Sequence, residues 1–296
     1  MDVRRLEYLV ALVREGGFTR AAAACGVSQP TLSQQILKLE EAAGVPLIRR
    51  LRSGVALTEA GRDFHRRAVN VLAELAYAKQ EADAHAGKLR GTLRLGAIPT
   101  VAPYVLPELL AGFRSECPDV AVEAVEAVTD SLVARLLNGE LDAALVALPI
   151  GADHLRSVPV AEDALLVAVP SDHRAAKAGK VTWESLADEP WLLLEEAHCL
   201  GAQTRDLCRR AGLAPRVVLR GAQLATVLGL VSRGLGVAVV PAMAAKQLPA
   251  GVVLVPFAGR APVRRIALVM RESSGKAPPP LKAFVDFLKA RSRAKA

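Results

Sequence analysis

Residues 18–40 run Phe18-Thr19-Arg20-Ala21-Ala22-Ala23-Ala24-Cys25-Gly26-Val27-Ser28-Gln29-Pro30-Thr31-Leu32-Ser33-Gln34-Gln35-Ile36-Leu37-Lys38-Leu39-Glu40. The Ala-rich first third predicts a short helix through Ala24. Cys25-Gly26-Val27 is a tight turn, with Gly26 suited to a positive φ. Ser28 is an N-cap, and Pro30 sits in the first turn of a second helix, where a missing N–H costs little. The second helix runs through Thr31, Leu32, Ile36, Leu37 and Leu39 to about Ala43, before Gly44 and Pro46 end it. Helix, tight turn and polar-faced helix in this order predict a helix-turn-helix.

Working outward, Leu6, Leu9, Val10 and Val13 after Asp2 predict a preceding helix that stops at Gly16-Gly17. On the other side, Leu47 to Leu57 reads as a two-stranded basic ribbon turning at Ser53-Gly54. Thr58 caps a long helix to about Ala86, in which Phe64, Ala68, Val71, Leu75, Ala78 and Ala82 alternate steps of four and three. That spacing suits a coiled-coil seam between two copies of the chain.

From Gly91 the pattern changes. β-rich runs at Thr92–Ile98, Val120–Val128, Ala143–Leu148, Leu165–Val169, Trp191–Leu194, Val217–Leu219, Gly236–Val240, Val252–Val255 and Ile266–Val269 alternate with amphipathic helices. This alternation predicts an α/β region with mainly parallel sheet. Crossing segments near residues 162 and 266 predict two subdomains with a cleft between them. The expected organisation is a winged helix-turn-helix over 1–58, a linker (dimerisation) helix over 59–87 and an effector domain over 88–296. Subdomain I would take about 91–161 and 267–296, and subdomain II about 162–266.

Composition narrows the classes. The chain has 296 residues, 52% hydrophobic and 23% charged, which is a globular balance with enough length for a sizeable core. The longest apolar run, near Leu235–Ala245, ends at Lys246 and falls short of the ~18–20 residues of a membrane span. The start, Met-Asp-Val-Arg-Arg-Leu-Glu, lacks the basic and apolar regions of a secretory signal. A cytoplasmic protein without a membrane partner is expected. The formal net charge of +8 permits a polyanionic partner. Cys25, Cys117, Cys199 and Cys208 contain no Cys-x-x-Cys pair, and a site built on His198, Cys199 and Cys208 lacks a fourth ligand at recognisable spacing, so neither metal nor cofactor is expected. Cys25 and Cys117 read as small buried apolar residues.

The second helix of the helix-turn-helix offers Gln29, Thr31, Ser33, Gln34, Gln35 and Lys38 on its outer face, side chains of the length that reaches base edges. Its start at Ser28-Gln29-Pro30 turns free N–H groups toward a phosphate. Arg49, Arg50 and Arg52 in the ribbon would follow the backbone or enter a minor groove. Double-stranded DNA is therefore the expected macromolecular partner.

At this point the residues carry a resemblance. Leu6-Glu7-Tyr8-Leu9, Phe18-Thr19-Arg20-Ala21-Ala22, Val27-Ser28-Gln29-Pro30-Thr31-Leu32-Ser33, Ile36-x-x-Leu39-Glu40 and Leu57-Thr58-x-Ala60-Gly61 together resemble the N-terminal winged helix of LysR-type transcriptional regulators. The resemblance extends along the whole chain. It implies a linker helix followed by a two-subdomain, periplasmic-binding-protein-like α/β effector domain, dimers joined by linker helices and commonly homotetramers on operator DNA. RNA polymerase is a further expected partner, and no enzymatic activity is implied.

The effector half is similar to the hydrogen-peroxide-sensing members of that family. The segment Leu194-Glu195-Glu196-Ala197-His198-Cys199-Leu200-Gly201-Ala202-Gln203-Thr204-Arg205-Asp206-Leu207-Cys208 carries the His-Cys pair and a second cysteine nine residues on. Ala97-Ile98-Pro99-Thr100-Val101-x-Pro103-Tyr104-x-Leu106-Pro107, Thr129, Leu141-Asp142 and Arg264-x-Ile266-x-Leu268-Val269 agree as well. The resemblance implies that Cys199 is oxidised by hydrogen peroxide and that Cys208 resolves the product as a disulfide. Thr100 and Thr129 would hold the peroxide, with His198, Gln203 and Asp142 in supporting positions. A peroxide-reactive cysteine must be a thiolate, which a helix start at Cys199 and a cation from Arg264, or from its neighbour Arg265, would favour.

Other functions compete with this one. The same scaffold could sense a small metabolite in the effector cleft, with unreactive cysteines. A thiol peroxidase or oxidoreductase leaves the helix-turn-helix unexplained, and a secreted solute-binding protein would need the absent signal peptide.

Overall fold

The computed structural model describes residues 2–51, 54–85, 89–272 and 277–293. Arg52 and the expected turn and boundary residues Ser53 and Gly87 lie outside the described residues. The chain divides at residues 88/89 into two compact units, apart from the short 137–140 segment.

The first unit contains α1 (Val3–Glu15), α2 (Phe18–Ala24), α3 (Gln29–Ala43), β1 (Ile48–Leu51), β2 (Gly54–Leu57) and α4 (Glu59–His85). The Asp2 carboxylate accepts the Arg5 N–H at 3.0 Å and caps α1. Gly26 makes the turn between α2 and α3 at φ 66°. Ser28 Oγ accepts the Thr31 N–H at 3.3 Å and starts α3, with Pro30 in the first turn. Leu9, Leu12, Leu32, Leu39 and Leu47 are fully buried at the centre. Glu40 closes the end of α3 onto the ribbon, its Oε1 accepting the N–H groups of Leu47 and Ile48 at 2.7 and 2.9 Å. Strands β1 and β2 pair antiparallel, and Thr58 then caps α4 by accepting the Gly61 N–H at 2.9 Å.

Helix α4 departs from the expected continuous seam. Phe64 packs against this core and Ala68 is buried in it, whereas Val71 and Leu75 are 46% and 48% exposed. The physical reason is that α4 runs beside α1 for its first turns, so the same apolar stripe serves the local core before it turns free.

The second unit continues with β3 (Gly91–Ala97), α5 (Ala102–Glu116), β4 (Val120–Glu126), α6 (Thr129–Leu137), β5 (Ala143–Leu148), β6 (Leu155–Pro170), α7 (Arg174–Ala178) and β7 (Pro190–Leu194). After these come α8 (Cys199–Arg210), β8 (Arg216–Gly221), α9 (Leu224–Val231), β9 (Ala238–Pro241), β10 (Val252–Val255), β11 (Val263–Arg271) and α10 (Pro279–Arg293). A 3-10 turn spans Ala242–Gln247. No described helix is long and apolar enough to cross a membrane.

The sheet is mixed rather than mainly parallel. Strands β3, β4 and β5 pair parallel, and so do β7 and β8. Strands β6 and β11, however, run antiparallel to each other and to their other partners. The difference comes from β6, which is 16 residues long where the local pattern marks only Leu165–Val169. Its first part pairs with β11, and its second part pairs with β9 and β10. β6 is thus continuous through both lobes, whereas β11 contributes residues 266–270 to the first core. One core gathers around Leu93, Phe113, Leu145, Leu268 and Phe284. The other gathers around Val167, Trp191, Leu200, Val227 and Val240.

Candidate functional site

In the first unit, Ser28, Gln29, Pro30, Thr31, Gln34 and Lys38 are exposed along one side of α3, and Arg49 and Arg50 are exposed on β1. Ser33 is half-buried and serves within the head, where its hydroxyl accepts from Arg50 Nη2 at 2.9 Å. The Arg50 guanidinium also lies 4.6 Å from the centre of the Phe18 ring. The ribbon is thereby pinned beside α3, with a cation held at its edge. Gln35, expected on the outer face, instead turns toward α1, where its Oε1 accepts from Arg5 Nε at 3.0 Å. The exposed set is a row of hydrogen-bonding groups flanked by arginines, the arrangement that reads a groove and grips phosphates.

In the second unit, the site is built where elements of both lobes meet. Thr100 follows β3, Thr129 opens α6, Cys199 opens α8 and Arg264 lies on β11. β11 alternates so that Arg264 is buried while Arg265 is exposed, which decides between the two adjacent arginines. Arg264 Nη1 donates to Thr100 Oγ1 at 2.8 Å, and Nη2 donates to the Thr100 carbonyl at 3.0 Å. Because Thr100 Oγ1 already accepts from a cation, its own O–H is available to the Cys199 side.

Cys199 is half-buried and packs against the first lobe's core. Burial pushes its thiol above the ordinary value. Opposing this, in order of weight, are the Arg264 charge, the Leu200 N–H and the hydroxyls of Thr129 and Thr100. The cation and the helix start act in the expected direction, but burial outweighs them in this state. Asp163 Oδ2 accepts from Arg264 Nε at 2.9 Å, so the guanidinium is paired on its far side. Thr129 Oγ1 is buried with no hydrogen-bond partner in good geometry among the described residues, a position that a thiolate or a bound oxygen would fill.

The remaining expected residues fall in three places. His198 is buried as the residue before α8, but its ring does not cap the helix. Gln203 lies one turn along α8 from Cys199, and its Oε1 is buried without a partner among the described residues. Asp142 is not brought to the sulfur. It stands before β5, where its carboxylate accepts the Arg94 N–H at 2.7 Å. In the parallel pairing of β3 and β5 that is the opposite strand end from Thr100, so Asp142 ties the strands together.

Cys208 is 1% exposed in the second lobe's core, and burial pushes its thiol up to about 11. Both cysteines are free. Nine residues of helix separate them by about 13 Å along the axis. Gly201 lets α8 begin this close to β7: an added Cβ would meet the carbonyl oxygens of Leu194 and Glu195 at 2.5 Å each. Cys25 and Cys117 are half-buried against apolar cores. Asp163 and Met243 are the site residues that sequence reasoning missed. Nothing in Ala161-Glu162-Asp163-Ala164 separates the two acids, and only the pairing of β6 with β11 sets Asp163 opposite Arg264.

This architecture, a winged helix-turn-helix joined by one long helix to a two-lobed α/β unit, defines a class. Residues 3–62 match the bacterial regulatory helix-turn-helix protein of the lysR family, and residues 86–293 match the LysR substrate binding domain. The chain belongs to the LysR family of transcriptional regulators and is a regulator, not an enzyme. Among similar proteins, the "Probable hydrogen peroxide-inducible genes activator" of Mycobacterium leprae is 39% identical over 274 residues, covering 92% of this chain and 88% of that one. Full-length OxyR of Pseudomonas aeruginosa, solved as a cysteine-to-aspartate variant, is 32% identical with a TM-score of 0.82 and 98% coverage of both chains. A hydrogen-peroxide-bound cysteine mutant of Corynebacterium glutamicum OxyR is 33% identical with a TM-score of 0.66, covering 99% of this chain and 93% of that one.

Proposed function

We propose that the protein is a cytoplasmic, peroxide-responsive activator that binds operator DNA as a homodimer or homotetramer and acts on RNA polymerase. In this scheme residues 1–58 bind DNA, 59–87 dimerise and 88–296 sense, with subdomain II spanning about 162–266. The observation that carries the reading is the meeting of Cys199, Thr100, Thr129 and Arg264 in one site. Relatives of similar sequence are named for hydrogen peroxide, and one solved relative holds it.

Residue roles follow from the chemistry. The Cys199 thiolate attacks one peroxide oxygen and breaks the O–O bond. The departing hydroxide takes the proton released from the thiol and leaves as water, so cysteine is oxidised to sulfenic acid and peroxide is reduced. Thr100 donates to the leaving oxygen, polarised by Arg264, while Thr129 completes the cradle. His198 and Gln203 border the pocket. The Cys208 thiol then attacks the sulfenic sulfur, and a second water leaves as the disulfide forms.

The test is peptide mass spectrometry of the reduced protein after one equivalent of peroxide. A Cys199–Cys208 disulfide is expected in wild type, a sulfenic acid or small-thiol adduct at Cys199 in Cys208→Ser, and no response of the operator footprint in Cys199→Ser. A footprint that still changes with peroxide in Cys199→Ser overturns the reading. A metabolite-responsive regulator is the second reading, favoured by a cavity of about 350 Å³ lined by Tyr104, Val105, Leu109, Ile266 and Leu288. It predicts an unreactive Cys199.

A further inference from the structure

We propose that Asp163 is a positioning residue for the sensor thiol: it aims the Arg264 guanidinium at Thr100 and, by pairing with it, weakens the pull of that cation on Cys199. This rests on the reading of Cys199 as the peroxide-reactive group.

Arg264 is among the largest fully buried side chains, at 1% exposure, and Asp163 is 5% exposed. An isolated buried guanidinium would be costly, and in a weakly screened interior its charge would act strongly on a neighbouring sulfur. Asp163 prevents both. It faces Arg264 across the β6–β11 ladder, and its Oδ2 lies 2.9 Å from both Nε and Nη2. Its Oδ1 accepts the Met243 N–H at 3.1 Å, so both carboxylate oxygens are held in place. Met243 Sδ also touches Nη2 at 3.5 Å. The guanidinium fork is left one orientation, with Nη1 and Nη2 on Thr100.

From the sulfur, Arg264 and Asp163 act as a partly compensated pair rather than as a bare cation. Burial is what raises the thiol, and Arg264 is the first group that opposes it; a carboxylate paired with that guanidinium weakens the opposition. Two other titratable side chains lie close by. Tyr104, from α5, is held uncharged because burial raises its phenol, against the opposing pull of Arg264. His198 precedes the sulfur on its own element without capping the helix.

The experiment follows alkylation of Cys199 by iodoacetamide in the reduced full-length protein from pH 6 to 10, read by peptide mass spectrometry. Asp163→Asn removes the charge and keeps the shape. Its midpoint is expected about one unit below wild type, giving about tenfold faster alkylation at pH 7. Asp163→Glu keeps the charge and adds a methylene, and its midpoint is expected near wild type. Equal shifts in both variants, or no downward shift in Asp163→Asn, would mean that side-chain fit alone matters and would overturn the proposal. Asp163→Ser is a second neutral variant should Asp163→Asn not fold; if neither folds, the pair is a folding requirement and the proposal is overturned. Alkylation needs no peroxide, so failure of the peroxide reading shows separately, as absence of sulfenic acid in wild type.

Discussion

The two cysteines of the sensing segment differ because their surroundings differ. Cys199 meets a helix start, two hydroxyls and a guanidinium, and so has partners that favour its ionised form. Cys208 is enclosed by apolar groups, where burial dominates and the backbone pulls only weakly the other way. A thiol with a folded value near 11 and an ordinary value of 9.0 contributes stability that is full below pH 9. That contribution is lost as the pH rises toward 11, because only the unfolded chain ionises freely. About two units correspond to roughly 2–3 kcal/mol. Reduced wild-type protein should therefore lose urea resistance between pH 9 and 11, and Cys208→Ala, less stable at pH 8, should lose less over the same interval. Equal losses would show that the Cys208 thiol does not titrate with unfolding. The same burial makes Cys208 inert toward oxidants until the helix around it opens.

At the scale of elements, α8 is the part that would have to change for the proposed disulfide to form. A disulfide needs Cα atoms within about 7 Å, whereas an intact helix holds these residues about 13 Å apart. The bond thus requires about two turns to unwind or bend. Remodelling would also break the ion pairs that Glu196, just before α8, makes with Arg205 on the helix and with Arg220 on β8. It would withdraw Leu200 and Cys208 from the second core. Amide exchange over residues 199–210 should be slow in reduced protein and much faster after oxidation, with the disulfide confirmed by mass spectrometry. Equal protection in both forms would exclude unwinding as the switch. Gly201 belongs to this scale too: its site against the Leu194 and Glu195 carbonyls leaves no room for a Cβ, so the reduced position of the Cys199 sulfur depends on a residue with no side chain.

For the molecule as a whole, the unpartnered part of α4 matters most. Val71 and Leu75 are the exposed large apolar residues on a helix of 27 residues, about 40 Å long. Ala68, one turn earlier on the same stripe, is already buried in the head. Placing a charge at Leu75 should therefore spare the fold and prevent assembly. Leu75→Glu is expected to sediment as a smaller species than wild type at equal concentration, with unchanged helix content by circular dichroism. Unchanged sedimentation would mean that another surface holds the copies together.

The sequence by itself determined what depends on local spacing and local chemistry. Ser28, Pro30 and the Leu32–Ile36–Leu39 stripe specify a capped helix of known polarity wherever they occur, because a cap and a 3.6-residue period are properties of neighbouring residues. The same holds for the helix start at Cys199 and the nine-residue distance to Cys208. Tertiary structure alone decided what depends on residues far apart in the chain. The pairing of β6 with β11 sets Asp163 against Arg264, 101 positions away, and this turns an expected bare cation into a compensated pair. The far end of the β3–β5 pair removes Asp142 from the pocket. Contact with the head takes Phe64 and Ala68 out of the seam. Burial and charge compensation are sums over a whole neighbourhood, and no local pattern contains them.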